Sequence, residues 1–208
     1  MGKKILKGIF ILLGLGFLIF VAYIVSIFVA MGAFDRDYSV SDLKDNFNKK
    51  KPEIYELKKY FNEIVPKNRF VEIEFKNDNT LTRLGIKALD TSAGDPTEPM
   101  FLEWDLKINT SRMDSIIKPM GWTRETLRTL KNKLDDANCI QIESGDPAKI
   151  GFQRSGMGMY SFRIFDKSIP DSLRSIYNDS CTYILVNDRL VLEYGGGAFG
   201  NQCFYNKK

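Results

Sequence analysis

Residues 8–34 read GIFILLGLGFLIFVAYIVSIFVAMGAF, an apolar run without a single charge. As a helix rising 1.5 Å per residue it would extend roughly 40 Å, beyond the roughly 30 Å hydrocarbon core of a bilayer. The pattern therefore predicts a transmembrane helix over 8–34. The apolar region of a secretory signal peptide is shorter, about 7–15 residues, so the length favours an uncleaved signal anchor. Small residues (Ala30, Gly32, Ala33) nonetheless close the run, as they do before a cleavage site. Ala22, Ser26 and Ala30 recur every four positions and form the candidate helix-packing face, narrow enough for a second helix to approach closely.

Beyond the run the apolar positions fall into a heptad: Val40, Leu43, Phe47, then Lys50, then Ile54, Leu57, Phe61 and Ile64. Pro52 interrupts it, and proline is at home in a first helical turn, so the pattern predicts two helices over residues 35–65, the second restarting near Pro52. Two short runs on either side of a break fall short of a coiled coil. The expectation is a second helix laid across a sheet in its own domain, with a dimeric stalk as the alternative.

From Phe70 the period becomes that of a strand. Val71, Ile73 and Phe75 alternate with Glu72, Glu74 and Lys76, and an Asn-Asp-Asn turn leads to a second strand through Leu84, Ile86 and Ala88. Residues 90–99, rich in Gly, Pro, Asp and Thr, read as a surface loop. Leu102, Trp104, Leu106 and Ile108 then alternate with Glu103, Asp105 and Lys107, predicting a strand with the former set inside. Thr123 is a candidate N-cap for a helix carrying Leu127, Leu130, Leu134 and Ala137 on one stripe. Strands over 140–143 and 160–165 follow, then a last hairpin, 182–186 and 189–194, turning at Asn187-Asp188. No internal repeat is visible. The expected fold is α+β: a basic tail over 1–7, the membrane helix, the helical segment 35–65, and one antiparallel-sheet domain over 66–208 with helices on one face.

Charge narrows the partners. The 30 Lys and Arg outnumber the 26 Asp and Glu, but three of the basic residues are Lys3, Lys4 and Lys7, so the remainder is nearly neutral. Such a domain lacks the electrostatic footprint of a nucleic-acid binder. Basic residues flank the span on both sides, and the positive-inside rule gives no clean vote. The basic tail lies directly against the span, whereas the chain leaves it through Asp35-Arg36-Asp37. This predicts a cytoplasmic N-terminus and an external body.

There is no histidine, which removes His-activated nucleophiles and His-containing zinc sites. The three cysteines show no C-x-x-C spacing. No cofactor, metal or catalytic residue is assigned. The glycines in LEYGGGAFGNQC follow a strand but precede no helix and match no phosphate-binding motif. They permit a reversal that returns Cys203 to Cys181 at the open end of the last hairpin. That candidate disulfide would close a loop of about 23 residues, worth about 3 kcal/mol, and would need an oxidising compartment. Cys139 is expected to be a buried filler. The carboxylate pairs Glu72/Glu74 and Glu103/Asp105 could serve a hydrolase if they lined a pocket, or be the wet face of a sheet. The segment FQRSGMGMYSF offers Arg154, Met157, Met159 and Tyr160 as candidate partner-contact residues.

Residues 121–162 and 181–200 resemble small membrane-anchored bacterial proteins without an assigned activity. The resemblance implies no catalytic or binding residue. Three functional expectations stand: an envelope protein whose external domain binds or scaffolds a partner; a carboxylate hydrolase of envelope polymers or lipids; and a subunit of a membrane assembly, homo-oligomeric or otherwise, joined through the helix and stalk.

Overall fold

A computed structural model describes residues 2–30, 32–89, 101–196 and 200–204; the side chains of 2–7, 9–11 and 30 lie outside that description. Helix α1 spans Gly2–Ala30. Its window Leu12–Val29 has a mean hydropathy of 2.7 and is not buried by the rest of the chain. Among the described residues one helix is thus long and apolar enough to cross a membrane. Ala22 and Ser26 are exposed on it, and the Ser26 hydroxyl donates to the Tyr23 carbonyl oxygen (2.7 Å). The side chain of Ala30, third of the predicted packing face, lies outside the described residues.

The body starts with α2 (Val40–Lys49) and α3 (Lys51–Ile64). A capping box holds the start of α2: the Ser39 hydroxyl accepts from the Asp42 amide while the Asp42 carboxylate accepts from the Ser39 amide. Pro52 sits in the first turn of α3, where a missing amide hydrogen costs nothing. Val40, Leu43, Phe47, Ile54, Leu57 and Phe61 are all buried in one core. The heptad stripe packs inside the chain's own domain.

Strands β1 (Arg69–Asn77), β2 (Thr80–Ala88) and β3 (Phe101–Lys107) follow, then α4 (Ser111–Ile117), α5 (Arg124–Asp136), β4 (Gln141–Glu143), β5 (Ala148–Ser155) and β6 (Gly158–Ile164). The short α6 (Asp171–Arg174) precedes the hairpin of β7 (Tyr183–Asn187) and β8 (Leu190–Gly195). Thr123 caps α5 as its sequence implies, accepting from the Thr126 amide at 3.2 Å. All eight strands form one antiparallel sheet in the order β3-β2-β1-β4-β5-β6-β8-β7.

A repeat absent from the sequence is present in this topology. Helix α3 leads into the meander β1-β2-β3 and helix α5 into the meander β4-β5-β6, and the two meanders join through their first strands. Helices α3 and α5 pack on one another over this junction; Trp122 Nε1 donates to the Ile64 carbonyl oxygen (2.7 Å) and Lys133 pairs with Glu56 (2.6 Å).

Two expectations about faces need correction. The helices do not all share one face. Val191, Tyr183 and Leu185 lie opposite the core side of β7 and β8 and pack with Phe165, Ile169, Leu173 and Tyr177 beneath α6 and the turn Ile176–Asn178. These two strands carry apolar residues on both faces, so both are covered. The second correction concerns β3. The β1/β2 register shifts between Glu74 and Phe75, and at the same level of β3 Asp105 takes φ 52°. The two faces exchange there. Leu106, opposite Leu81, points to the core, whereas Trp104 and Leu102, opposite Arg83 and Gly85, point away from it. Glu103, expected outside, lies on the helix side and pairs with Arg112 (2.5 Å).

Candidate functional site

Three regions carry the polar and exposed apolar residues that could act. The first joins α1 to the sheet. The chain leaves α1 through Gly32 (φ 72°), and a Cβ placed there would lie 2.5 Å from the Cα of Gly156 at the tip of the β5/β6 hairpin. Only glycine permits that approach. The Asp35 carboxylate accepts from the Gly156 amide (3.1 Å), and the Ser155 hydroxyl donates to Asp37 (2.6 Å). Tyr38 sets its ring edge-on against Phe152 and Tyr160, with centroids 5.1 and 5.5 Å apart. Beside the joint a cleft of about 700 Å³ opens between α2 and the end of α5, lined among others by Arg36, Asp42, Lys49, Asp135 and Asn138, charges of both signs. The Asp42 carboxyl is held below its usual range by the Ser39 hydrogen bonds, with a smaller contribution from Arg36.

The second region is the sheet face turned away from α2–α5. Strand register lays two rows across it. One runs Trp104, Arg83, Glu74, Gln141, Gly151, Ser161, Glu193, Tyr183; the other runs Leu102, Gly85, Glu72, Glu143, Lys149, Arg163, Val191, Leu185. The charges satisfy one another along and between the rows. Arg83 pairs with Glu72 at 3.0 Å, and Arg154 grips Glu74 through two bonds of 2.6 and 2.5 Å. Lys149 reaches Glu193 (3.1 Å) and Glu143 (3.8 Å), while Arg163 also bonds Glu193. Gly151 and Ser161 are small, which lets the longer side chains of the neighbouring strands fold over them. Glu74, Gln141 and Glu193 are consequently buried. Four cations balance four carboxylates, so the belt favours neither a cationic nor an anionic ligand. Burial pushes the Glu72 carboxyl above its ordinary value, Arg83 opposes that, and Glu143, directly across the β1/β4 pair, adds to it.

The third region is the edge strand β3. Trp104 is 53% exposed, Leu102 42% and Phe101 37%, with Leu89 at 50% nearby. The Arg83 guanidinium lies 5.4 Å from the Trp104 ring. On the helix side a small, mostly apolar groove of about 250 Å³ runs between Phe101, Ile86, Ile116 and Met120. Apart from the pairing with β2, the described residues make no ladder with β3. The other edge, β7, is blocked: Asp179 accepts from the amides of Cys181 and Tyr183 and Asn178 from that of Leu185.

The residues singled out in the sequence are distributed as follows. Cys181 and Cys203 form the disulfide. Cys139 is buried, and desolvation pushes its thiol far above the usual range. Of the four hairpin residues, Tyr160 and Met159 are buried, Arg154 is engaged by Glu74, and Met157 is partly exposed at the tip. That tip seats the segment by which the chain leaves α1. The four carboxylates considered for hydrolysis do not converge: Glu72 and Glu74 are ion-paired on the outer face, Glu103 is on the helix side, and Asp105 pairs with Lys76 at 3.3 Å on the surface. Among the described residues no group of three or more Cys, Asp or Glu gathers as metal ligands would. Sequence reasoning missed Gly32, Asp35 and Asp37 as the seat of the body and Leu102 and Trp104 as exposed. The one available signal was Asp105, since Asp and Asn are the side chains that most readily accept positive φ. No known family, curated protein or solved structure matches the chain.

Proposed function

We propose that this chain is a single-pass membrane protein, its N-terminus cytoplasmic, that displays the sheet domain outside and captures a protein partner along the open edge of β3. Length and hydropathy of α1 support the anchor, and the disulfide supports an oxidising compartment for the body. The joint at Gly32, Asp35 and Asp37 supports a body held in a set orientation on its anchor rather than hung from a loose linker.

One observation carries the partner reading. Of the large exposed apolar side chains described beyond α1 and its exit, Phe101, Leu102 and Trp104 lie on β3 and Leu89 just past the end of β2, with Tyr55 and Ile176 elsewhere, and among the described residues β3 pairs with β2 alone. Exposed apolar side chains on both faces of an edge that the described residues leave unpaired mark an interaction site, and an extended segment of a partner adding as a ninth strand would satisfy both features. The exposed small residues Ala22 and Ser26 on α1 are compatible with the same partner, or a second copy, meeting the chain inside the bilayer.

The test places a photo-crosslinking amino acid at Trp104 and, separately, at Ile176, an exposed residue near the opposite edge. In intact cells, position 104 should give a discrete crosslinked protein and position 176 should not. A crosslink only to a second copy would replace the partner by self-association. No product from 104, or a C-terminal reporter inaccessible from outside, would sink the reading.

A further inference from the structure

We propose that the C-terminal tail is a redox-operated latch: the Cys181–Cys203 bond keeps Phe204 in the aromatic cluster that also seats Tyr38, and reducing it loosens the joint between α1 and the sheet. After β8 the backbone turns through Gly195 and Gly196 at φ 146° and 99° and comes back along the strand. Asn201 bridges Gly195, the Gln202 amide donates to the Tyr194 carbonyl oxygen (3.3 Å), and the Phe204 amide donates to that of Cys181 (3.0 Å). Phe204 is 2% exposed, its ring centroid 5.7 Å from Tyr160 and 5.9 Å from Tyr194. Tyr160 stacks on Tyr194 at 4.0 Å and takes the edge of Tyr38 on its other contacts. The two ends of the body therefore share one cluster. Tyr38 adjoins Asp37, which holds Ser155, and the same hairpin tip carries Gly156 against Gly32.

Among the described residues 200–204, one buried ring and a few backbone hydrogen bonds stand against the entropy of ordering the returning segment, and the disulfide tips that balance. Cys203 is exposed and Cys181 partly so, which leaves the bond open to an incoming thiol. A dithiol reductant supplies the chemistry. Its thiolate attacks Cys203 Sγ, the S–S bond breaks, and Cys181 departs as a thiolate that takes a proton. The reductant's second thiol then displaces Cys203, which is also protonated, and the reductant leaves as its own disulfide; two electrons and two protons have passed to the protein.

This inference rests on α1 being the anchor only for its meaning in the membrane, and its test reads the joint itself. Hydrogen exchange is followed by mass spectrometry on the full chain in detergent micelles, oxidised, reduced with dithiothreitol, and as Cys203→Ser. Peptides covering 33–39 and 154–160 should exchange about ten-fold faster once the bond is lost, while peptides from β1 and α5 keep their rates. Phe204→Ala, with the bond intact, should accelerate the same two peptides. Unchanged exchange at 33–39 and 154–160 would overturn the latch, as would equal acceleration throughout the sheet, since the bond would then hold the whole fold. If the anchor reading alone fails, the chain leaves membranes on alkaline extraction while the exchange pattern persists.

Discussion

Glu74 is 1% exposed on the outer sheet face, and both its oxygens are taken by the Arg154 guanidinium at 2.6 and 2.5 Å. Arg154→Met preserves much of the side-chain stem but leaves a carboxylate where water scarcely enters. Breaking a buried pair from one side costs about 3–5 kcal/mol. Because the Arg154 side chain is 29% exposed, water can reach the site from that side, and the expected loss sits at the lower end, about 3 kcal/mol. For a domain of this size, at roughly 2–4 °C per kcal/mol, the melting midpoint falls by about 6–12 °C. Glu74→Met combined with Arg154→Met removes both charges and should recover at least half of that loss, since apolar replacement of a buried ion pair is often close to neutral. Urea unfolding of the full chain in micelles, followed by the fluorescence of Trp104 and Trp122, measures both. A single variant within about 1 kcal/mol of the parent, or a double variant as unstable as the single, refutes the claim that Arg154 is there to neutralise Glu74.

Two further outcomes follow from the same face and its edge. Burial raises the Glu72 carboxyl above 4.5, so its contribution to stability is fully present below that value and is lost as pH rises through the folded-state pKa. The stability of the parent relative to Glu72→Gln should therefore decline as pH increases from about 4.5, then level off; a flat difference between pH 4 and 7 contradicts the assignment. At Asp105, where φ is 52°, Asp105→Val should cost about 1–2 kcal/mol while Asp105→Gly stays within about 0.5 kcal/mol of the parent. Equal effects of the two would mean that the backbone there does not enforce the exchange of faces.

What could be read from the sequence were features whose partners lie close along the chain. An uncharged run, the heptad stripe of α2 and α3, the Thr123 cap and the return of Cys203 to the mouth of its own hairpin are set within a few turns or one hairpin. The misread features depend on distant strands. Leu102 and Trp104 alternate perfectly with Leu106, yet an irregularity shared with β1 and β2 reverses the faces between them. Glu72 and Glu74 alternate with core residues like any solvated row, but the cations that cover them arrive from β2 and β5, the latter 80 positions away in the case of Arg154. Asp35 and Asp37 look like charges marking a membrane exit until the β5/β6 tip, some 120 positions later, meets them. Arg154 illustrates the consequence for function. A cation beside two glycines at a hairpin tip reads as a contact waiting for a partner, and the partner it has is a carboxylate of its own sheet. The surface proposed for an outside protein is then one the alternation had assigned to the core, because a backbone reversal at Asp105 puts Leu102 and Trp104 on the face away from α2–α5, where they are exposed.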